Sequence, residues 1–220
     1  MNGTCFFTAN DGSHAWGMQT PASDWDLKVI YIAPIEKILS GSTVANHDVK
    51  TDRLDMRYIE MGAFVHQLAK GNANAYIQLF SPVVRCSDRM RPFLNELRGI
   101  AVQNLSKEIV PSVEGITLNT VKRILKDTSE HRLPKRLRLC TREMRTVLSA
   151  VTTGTWRFDP VVEEITEDVL REQLDAFKIM MAETSLIPDH PSRPGMYDDF
   201  IIALRVSAGA GFLLSARHFA

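Results

Sequence analysis

The chain has 220 residues, of which 45% are hydrophobic and 24% are charged, with only 12 glycines and 10 prolines. This length and composition are typical of a globular protein with a substantial core, and they exclude collagen-like, disordered and low-complexity classes. The 26 Lys and Arg residues balance the 26 Asp and Glu residues. No overall field therefore attracts nucleic acid or a membrane, and any such attraction must be local.

The chain contains three extended stretches followed by helical patterns. Apolar and β-branched runs with turn punctuation predict strands at 4–9, 25–33 and 50–58. From residue 61 onwards, apolar residues recur with helical spacing, which predicts helices at 61–70, 75–80, about 90–106, 118–129, 135–152 and 166–183. The last segment, Tyr197 to Ala220, is compatible with a strand, a helix or a tail.

This order of elements predicts an α+β fold. We expect a small mixed β-sheet core with flanking helices over residues 1–115, and a mostly helical C-terminal lobe over residues 116–220. No internal repeat or flexible linker marks the boundary, so it rests on the change of pattern alone.

Three isolated cysteines, Cys5, Cys86 and Cys140, have no spacing that suggests a zinc site or a disulfide framework. The N-terminal residues do not resemble a signal peptide, and the longest apolar run, 206–216, is too short to span a bilayer. We therefore expect a cytoplasmic protein that does not associate with membranes. The sequence does not indicate its oligomeric state.

Charge is unevenly distributed along the later part of the chain. Residues 121–145 carry nine basic and three acidic side chains, whereas residues 158–200 carry eleven acidic and three basic ones. Each segment can be an ordinary solvated helix face, but the first can also supply cations to an anionic ligand.

Two aspartates are the first candidate site residues. Asp24 and Asp26 precede the run Val29-Ile30-Tyr31-Ile32, and on a strand residues two apart point to the same face. The two carboxylates should therefore converge, with Trp25 on the opposite, buried face. Neighbouring carboxylates repel each other unless a cation lies between them, and hard oxygen ligands favour Mg²⁺ or Mn²⁺.

A glycine and a serine precede this pair. Gly12 and Ser13 follow the apolar run Cys5-Phe6-Phe7. Glycine allows the backbone to approach a ligand closely, and successive amide groups can hold a phosphate. A phosphate site would then adjoin the metal site.

These features together resemble the DNA polymerase β-like nucleotidyltransferase superfamily, and more narrowly the predicted nucleotidyltransferases associated with RNA ligases. The resemblance rests on the run from Gly12 to Tyr31, on Lys70-Gly71-Asn72-Ala73-Asn74-Ala75 before Gln78-Leu79-Phe80-Ser81-Pro82, and on Lys135-Arg136-Leu137-Arg138-Leu139-Cys140-Thr141-Arg142. It covers about residues 4–153. Ala73 stands where the family usually has Pro, and Thr141 where it has Leu.

The resemblance implies Mg²⁺-dependent transfer of a nucleoside monophosphate from a nucleoside triphosphate to an acceptor hydroxyl. It also implies a third carboxylate, matched by Asp55, so that Asp24, Asp26 and Asp55 would be both catalytic residues and metal ligands. Asp48 and Asp52 are nearby alternatives, although the Leu-Asp-Met flank of Asp55 fits a strand better. The expected nucleotide-binding residues are Gly12, Ser13, Lys135, Arg138 and Arg142, while Lys28 could contact phosphate or offset the carboxylates.

The acceptor could be an RNA end, a protein or a small molecule, and the basic segment slightly favours RNA. One alternative is a non-catalytic nucleotide- or nucleic-acid-binding module on the same fold. Another is a toxin or defence component in which the acidic segment 158–200 docks a partner.

Overall fold

The fold is built on one five-stranded mixed sheet. The computed structural model describes residues 3–41, 46–81, 84–126 and 133–216. The strands are β1 (Thr4–Asp11), β2 (Trp25–Ile32), β3 (His47–Lys50), β4 (Leu54–Glu60) and β5 (Val84–Cys86). They lie in the order β3-β4-β2-β1-β5, and only β2 and β4 are parallel neighbours. This arrangement confirms the predicted α+β fold with a mixed sheet.

The predicted strand at 50–58 is in fact two antiparallel strands. β3 ends at Lys50 and β4 begins at Leu54, and the turn between them is closed by a hydrogen bond from the Thr51 amide to the Leu54 carbonyl, 2.8 Å. The polar residues Asp52 and Arg53 are exposed in this turn. Polar turn residues interrupt an apolar run that otherwise resembles one strand.

The described helices surround this sheet. They are α1 (Gly12–Ala15), α2 (Ile35–Leu39), α3 (Met61–Ala69), α4 (Ala73–Phe80), α5 (Arg91–Gln103), α6 (Ile109–Lys126), α7 (Leu133–Thr153), α8 (Glu167–Glu183) and α9 (Met196–Ala216). None of the helices in the described ranges is long and apolar enough to cross a membrane.

The junction between α3 and α4 follows the sequence prediction. Gly71 has φ of +66°, and a Cβ atom there would lie 2.7 Å from the backbone of Glu108, so only glycine fits. Asn72 caps α4 by accepting a hydrogen bond from the Ala75 amide at 3.1 Å. α4 ends at Phe80, as the predicted helix at 75–80 does. Pro82 of the family motif lies outside the described residues.

One later helix differs from the prediction, and another forms where the sequence left the structure open. α6 begins at Ile109, nine residues before the predicted start. Pro111 lies in its first turn, where proline is compatible with a helix. Its predicted end at residue 129 lies outside the described part of the chain. Residues 196–216, for which the sequence left three possibilities, form the helix α9.

One hydrophobic cluster joins the sheet to the helices. It extends from Phe6 and Phe7 in β1 to Phe200 in α9. The expected domain boundary between residues 115 and 116 falls inside α6, and the cluster contains both Val113 and Val121, on either side of it. The helices that carry basic residues are therefore packed into the same core as the strands that carry aspartates.

Candidate active site

Three adjacent strands bring aspartates to the same level of the sheet. Asp26 in β2 is the register partner of Asp11 in the antiparallel strand β1 and of Asp55 in the parallel strand β4. Residues paired directly across strands have side chains on the same face, about 5 Å apart at Cβ. Asp24 lies one residue before β2 and is exposed. We call Asp11, Asp24, Asp26 and Asp55 the carboxylate cluster.

The other members of the carboxylate cluster all act on the pKa of Asp26. Partial burial raises the pKa of its carboxyl group above the ordinary value, and the negative charges of Asp11, Asp24 and Asp55 raise it further. Lys135, at the start of α7, acts on the same pKa in the opposite direction. A site that accumulates negative charge in this way is chemically suited to a divalent cation with oxygen ligands.

Lysines pair with two members of the cluster. Lys28 Nζ lies 3.1 Å from Asp11 Oδ2, and Lys50 Nζ lies 3.3 Å from Asp55 Oδ2. Over residues 3–41, 46–81, 84–126 and 133–216, no three acidic, histidine or cysteine side chains converge as a complete metal-ligand set. The donor chemistry fits a hard cation, and the lysine of the exposed pair, Lys50, can move aside because its side chain is 74% exposed.

The Gly12-Ser13 turn lies directly against the cluster. Gly12 has φ of +56°, and a Cβ atom at this position would collide with the Asp26 carboxylate. The turn begins the four-residue helix α1, whose start has no side-chain cap. Ser13 is only 2% exposed, and its buried Oγ has no hydrogen-bond partner among the residues that the structure describes. A backbone turn without a side-chain cap and a serine hydroxyl without a partner therefore adjoin the carboxylates.

The basic residues of α7 face this region from the other side. Lys135 is exposed, and Arg138 is half-buried with a buried Nε that has no partner in the described ranges. Arg142 is 1% exposed, and its Nη1 donates a hydrogen bond to the backbone carbonyl of Trp16 at 3.0 Å. Trp16 follows α1 directly, so Arg142 holds the chain just after the Gly12-Ser13 turn.

The prediction that Trp25 is buried is wrong. Its side chain is 46% exposed and stacks on His14, with ring centroids 4.0 Å apart. Trp25 is the first residue of β2, where the sheet ends and no core layer covers that face. Strand alternation assigned the side of the sheet correctly for Asp26 but cannot tell whether the opposite side is covered.

Sequence reasoning did not select two acidic residues near the site. Asp11 could have been recognised, because it ends an apolar strand and directly precedes Gly12. Glu143 could not, because it is one acid in a strongly basic helix. The structure buries Glu143, and this burial, with a smaller effect from Asp11, raises the pKa of its carboxyl group to about 8.

The region of the chain that matches a known family contains most of the residues of this site. The model of the RNA repair pathway DNA polymerase beta family matches residues 3–133, which include the carboxylate cluster and the Gly12-Ser13 turn. A crystal structure of a nucleotidyltransferase-like protein from Exiguobacterium sibiricum is similar with a TM-score of 0.31 and 11% identity, covering 98% of this chain and 86% of that chain. No curated protein is significantly similar to the chain.

Proposed function

Because the chain belongs to the RNA repair pathway DNA polymerase beta family, we propose that it is a divalent-metal-dependent nucleotidyltransferase that moves a nucleoside monophosphate from a nucleoside triphosphate to an acceptor hydroxyl. The observation that carries this proposal is the alignment of Asp11, Asp26 and Asp55 at one level of β1, β2 and β4. A sheet has no structural need for three adjacent like charges, which destabilise it. Three adjacent carboxylates are useful, by contrast, in a reaction that requires metal cations beside phosphate groups.

The metal ligands we propose are Asp24, Asp26 and Asp55. Bound Mg²⁺ would neutralise charge on the triphosphate and favour attack by the acceptor hydroxyl. The raised pKa of Asp26 supports this assignment, because a cation beside this carboxylate would relieve the repulsion from its neighbours. Lys50 would have to release Asp55, and the exposed Lys50–Asp55 pair contributes little stability that would oppose this.

The nucleotide phosphates are proposed to lie between the Gly12-Ser13 turn and α7. Gly12 lets the backbone come close to the phosphates, and the Ser13 hydroxyl has a free hydrogen-bonding capacity. Lys135 and Arg138 would offset the charge that develops on the leaving pyrophosphate. Arg142 contributes by holding the Trp16 carbonyl, and therefore the position of the turn.

In the proposed reaction the acceptor oxygen forms a bond to the α-phosphorus as the bond between that phosphorus and the bridging oxygen of pyrophosphate breaks. The hydroxyl proton leaves through the carboxylate cluster to solvent. We propose RNA as the acceptor, since the basic residues of α7 can neutralise backbone phosphates near the cluster.

The test is transfer of label from each α-labelled nucleoside triphosphate to total cellular RNA, with Mg²⁺ or Mn²⁺. We expect transfer by the unmodified chain and none by the Asp24→Ala/Asp26→Ala variant. Asp48→Asn is the matched control, because Asp48 is an exposed aspartate on the neighbouring strand β3. Absence of transfer with every nucleotide, or undiminished transfer by the double variant, would reject the proposal. Binding of a nucleotide without transfer would instead support the non-catalytic alternative.

A further inference from the structure

A cavity lies beside the second half of α7, between that helix and residues 157–160. Its volume is about 350 Å³, within the range of small-ligand sites. Arginine side chains from both walls line it: Arg142 and Arg145 from α7, and Arg157 from the segment that follows. We call this cavity the arginine pocket.

Arg142 brings an uncompensated charge to the arginine pocket. The residue is 1% exposed and its Nη1 is bonded to Trp16, but its buried Nε and Nη2 atoms have no partner within the described part of the chain. Burial, reinforced by repulsion from Arg138 and Arg145, lowers the pKa of this guanidinium to about 10, so it is still protonated at neutral pH. Buried charges are normally paired, because an unpaired one is costly.

Acidic side chains near the pocket do not supply the missing partner. The negative charge of Glu163 acts to raise the pKa of Arg142. However, Glu163 Oε1 is already paired with Arg145 Nη2 at 2.6 Å. Asp159 lines the pocket and is exposed. Once the Arg145–Glu163 pair is set aside, the described surroundings hold two guanidinium groups, Arg142 and Arg157, against one acid, Asp159, which leaves the pocket with a net positive charge.

We propose that the arginine pocket binds a phosphate group of an anionic ligand. Guanidinium groups bind phosphate through paired N–H donors. Arg142 lines the pocket, and its Nε and Nη2 have no hydrogen-bond partner among the described residues. The ligand is either a free phosphate-bearing molecule or a polynucleotide that places one backbone phosphate there. The recognition chemistry is the same in both cases.

The arginine pocket is separate from the carboxylate cluster. Lys135 lies near Asp26, whereas Thr152, at the far side of the pocket, is 17 residues further along α7, or about 25 Å at 1.5 Å per residue. The pocket also lies outside residues 3–133, which the family model covers. Arg142 lines the pocket and also holds the Trp16 carbonyl after the Gly12-Ser13 turn, so the pocket adjoins the proposed nucleotide site and extends away from it along α7. Phosphate binding in the pocket can be measured whether or not the chain catalyses the proposed transfer.

The test measures binding with the full chain in EDTA, without nucleoside triphosphate, so that the carboxylate cluster takes no part. Inorganic phosphate is titrated by calorimetry, and a labelled single-stranded RNA 12-mer by fluorescence anisotropy. The variants are Arg157→Gln and Arg145→Gln, both at exposed positions where the fold should survive. Arg91→Gln on α5 is the matched control, since it removes one exposed arginine elsewhere.

We expect phosphate to bind the unmodified chain and the Arg91→Gln variant equally, and each pocket variant about tenfold more weakly, since each loses a charge-assisted hydrogen bond. A parallel loss of RNA binding identifies the ligand as a polynucleotide, whereas RNA binding unchanged by the pocket variants identifies a free phosphate-bearing molecule. Failure of the unmodified chain to bind phosphate, or equal phosphate binding by Arg157→Gln and Arg91→Gln, would overturn the proposal.

Discussion

Asp26 and Asp55 are direct register partners in the one parallel strand pair of the described sheet. They are 29 positions apart in the sequence and belong to strands separated by α2 and β3. Their carboxylates lie side by side because parallel pairing without a register shift places both on the same face. The negative charge of Asp55 therefore helps to raise the pKa of Asp26, after burial and the charges of Asp11 and Asp24.

Replacing Asp55 by Asn should reduce nucleotide transfer without reducing the stability of the fold. We expect nucleotide transfer to fall on the order of a thousandfold, as for other groups that stabilise transition-state charge. In EDTA the variant should be as stable as the unmodified chain or slightly more stable, because one of the charges that repel Asp26 is removed. Single-turnover transfer and urea unfolding measure the two effects. Retained transfer by this variant would show that Asp55 is not a metal ligand.

Gly12→Ala should destabilise the protein by about 1–3 kcal/mol, because φ is positive and the new Cβ would collide with the Asp26 carboxylate. Gly99→Ala is the matched control. Gly99 lies inside α5 with open space around it, so alanine should stabilise this helix by up to about 1 kcal/mol. Urea unfolding of both variants tests the contrast, and the same sign for both would contradict it.

Glu143 should make stability depend on pH between about 4.5 and about 8. Its carboxyl group has a pKa of about 8 in the folded chain and an ordinary value of 4.5, so in this window the folded state holds a proton that the unfolded state releases. The contribution of this group to the free energy of unfolding is therefore fully present below pH 4.5, and it is lost as the pH rises towards 8.

Glu143→Gln removes this dependence because glutamine does not titrate. Relative to the unmodified chain, the variant should gain stability as the pH rises, on the order of a few kcal/mol by pH 8. The free energy of unfolding is measured in urea at several pH values. Glu172→Gln on α8 is the control, since Glu172 is exposed, and an identical pH profile for the two variants would disprove the assignment to Glu143.

Phe200→Ala should cost about 3–5 kcal/mol of stability, the usual loss for a buried phenylalanine. Phe200 is 2% exposed and makes an edge contact with Phe6, with ring centroids 6.5 Å apart. Ile202→Ala, two positions further along α9 at a side chain that is 62% exposed, should change stability by less than about 0.5 kcal/mol. Thermal or urea unfolding measures the stability of both variants. Similar losses for the two would show that Phe200 of α9 does not pack against Phe6 in the core.

Local sequence features predicted the local parts of this structure. The glycine after Lys70 and the Asn72 cap mark the junction of α3 and α4, because left-handed backbone and capping are determined by a few neighbouring residues. The family was also identified from motifs, and the match to residues 3–133 confirms it. The turn at Asp52 and Arg53 was missed because short polar turns are weak signals.

The sequence by itself determined the strand around Asp26, the Gly12-Ser13 turn and the basic face of α7, since alternation, glycine conformation and helical periodicity act over a few residues. Only the tertiary structure decided that Asp11 flanks Asp26 opposite Asp55, that Glu143 is buried, that Trp25 is exposed, and that two Arg142 nitrogens have no partner among the described residues. These properties depend on which distant segments pack together. Burial and charge environment are sums over neighbours in space, and no local pattern contains them.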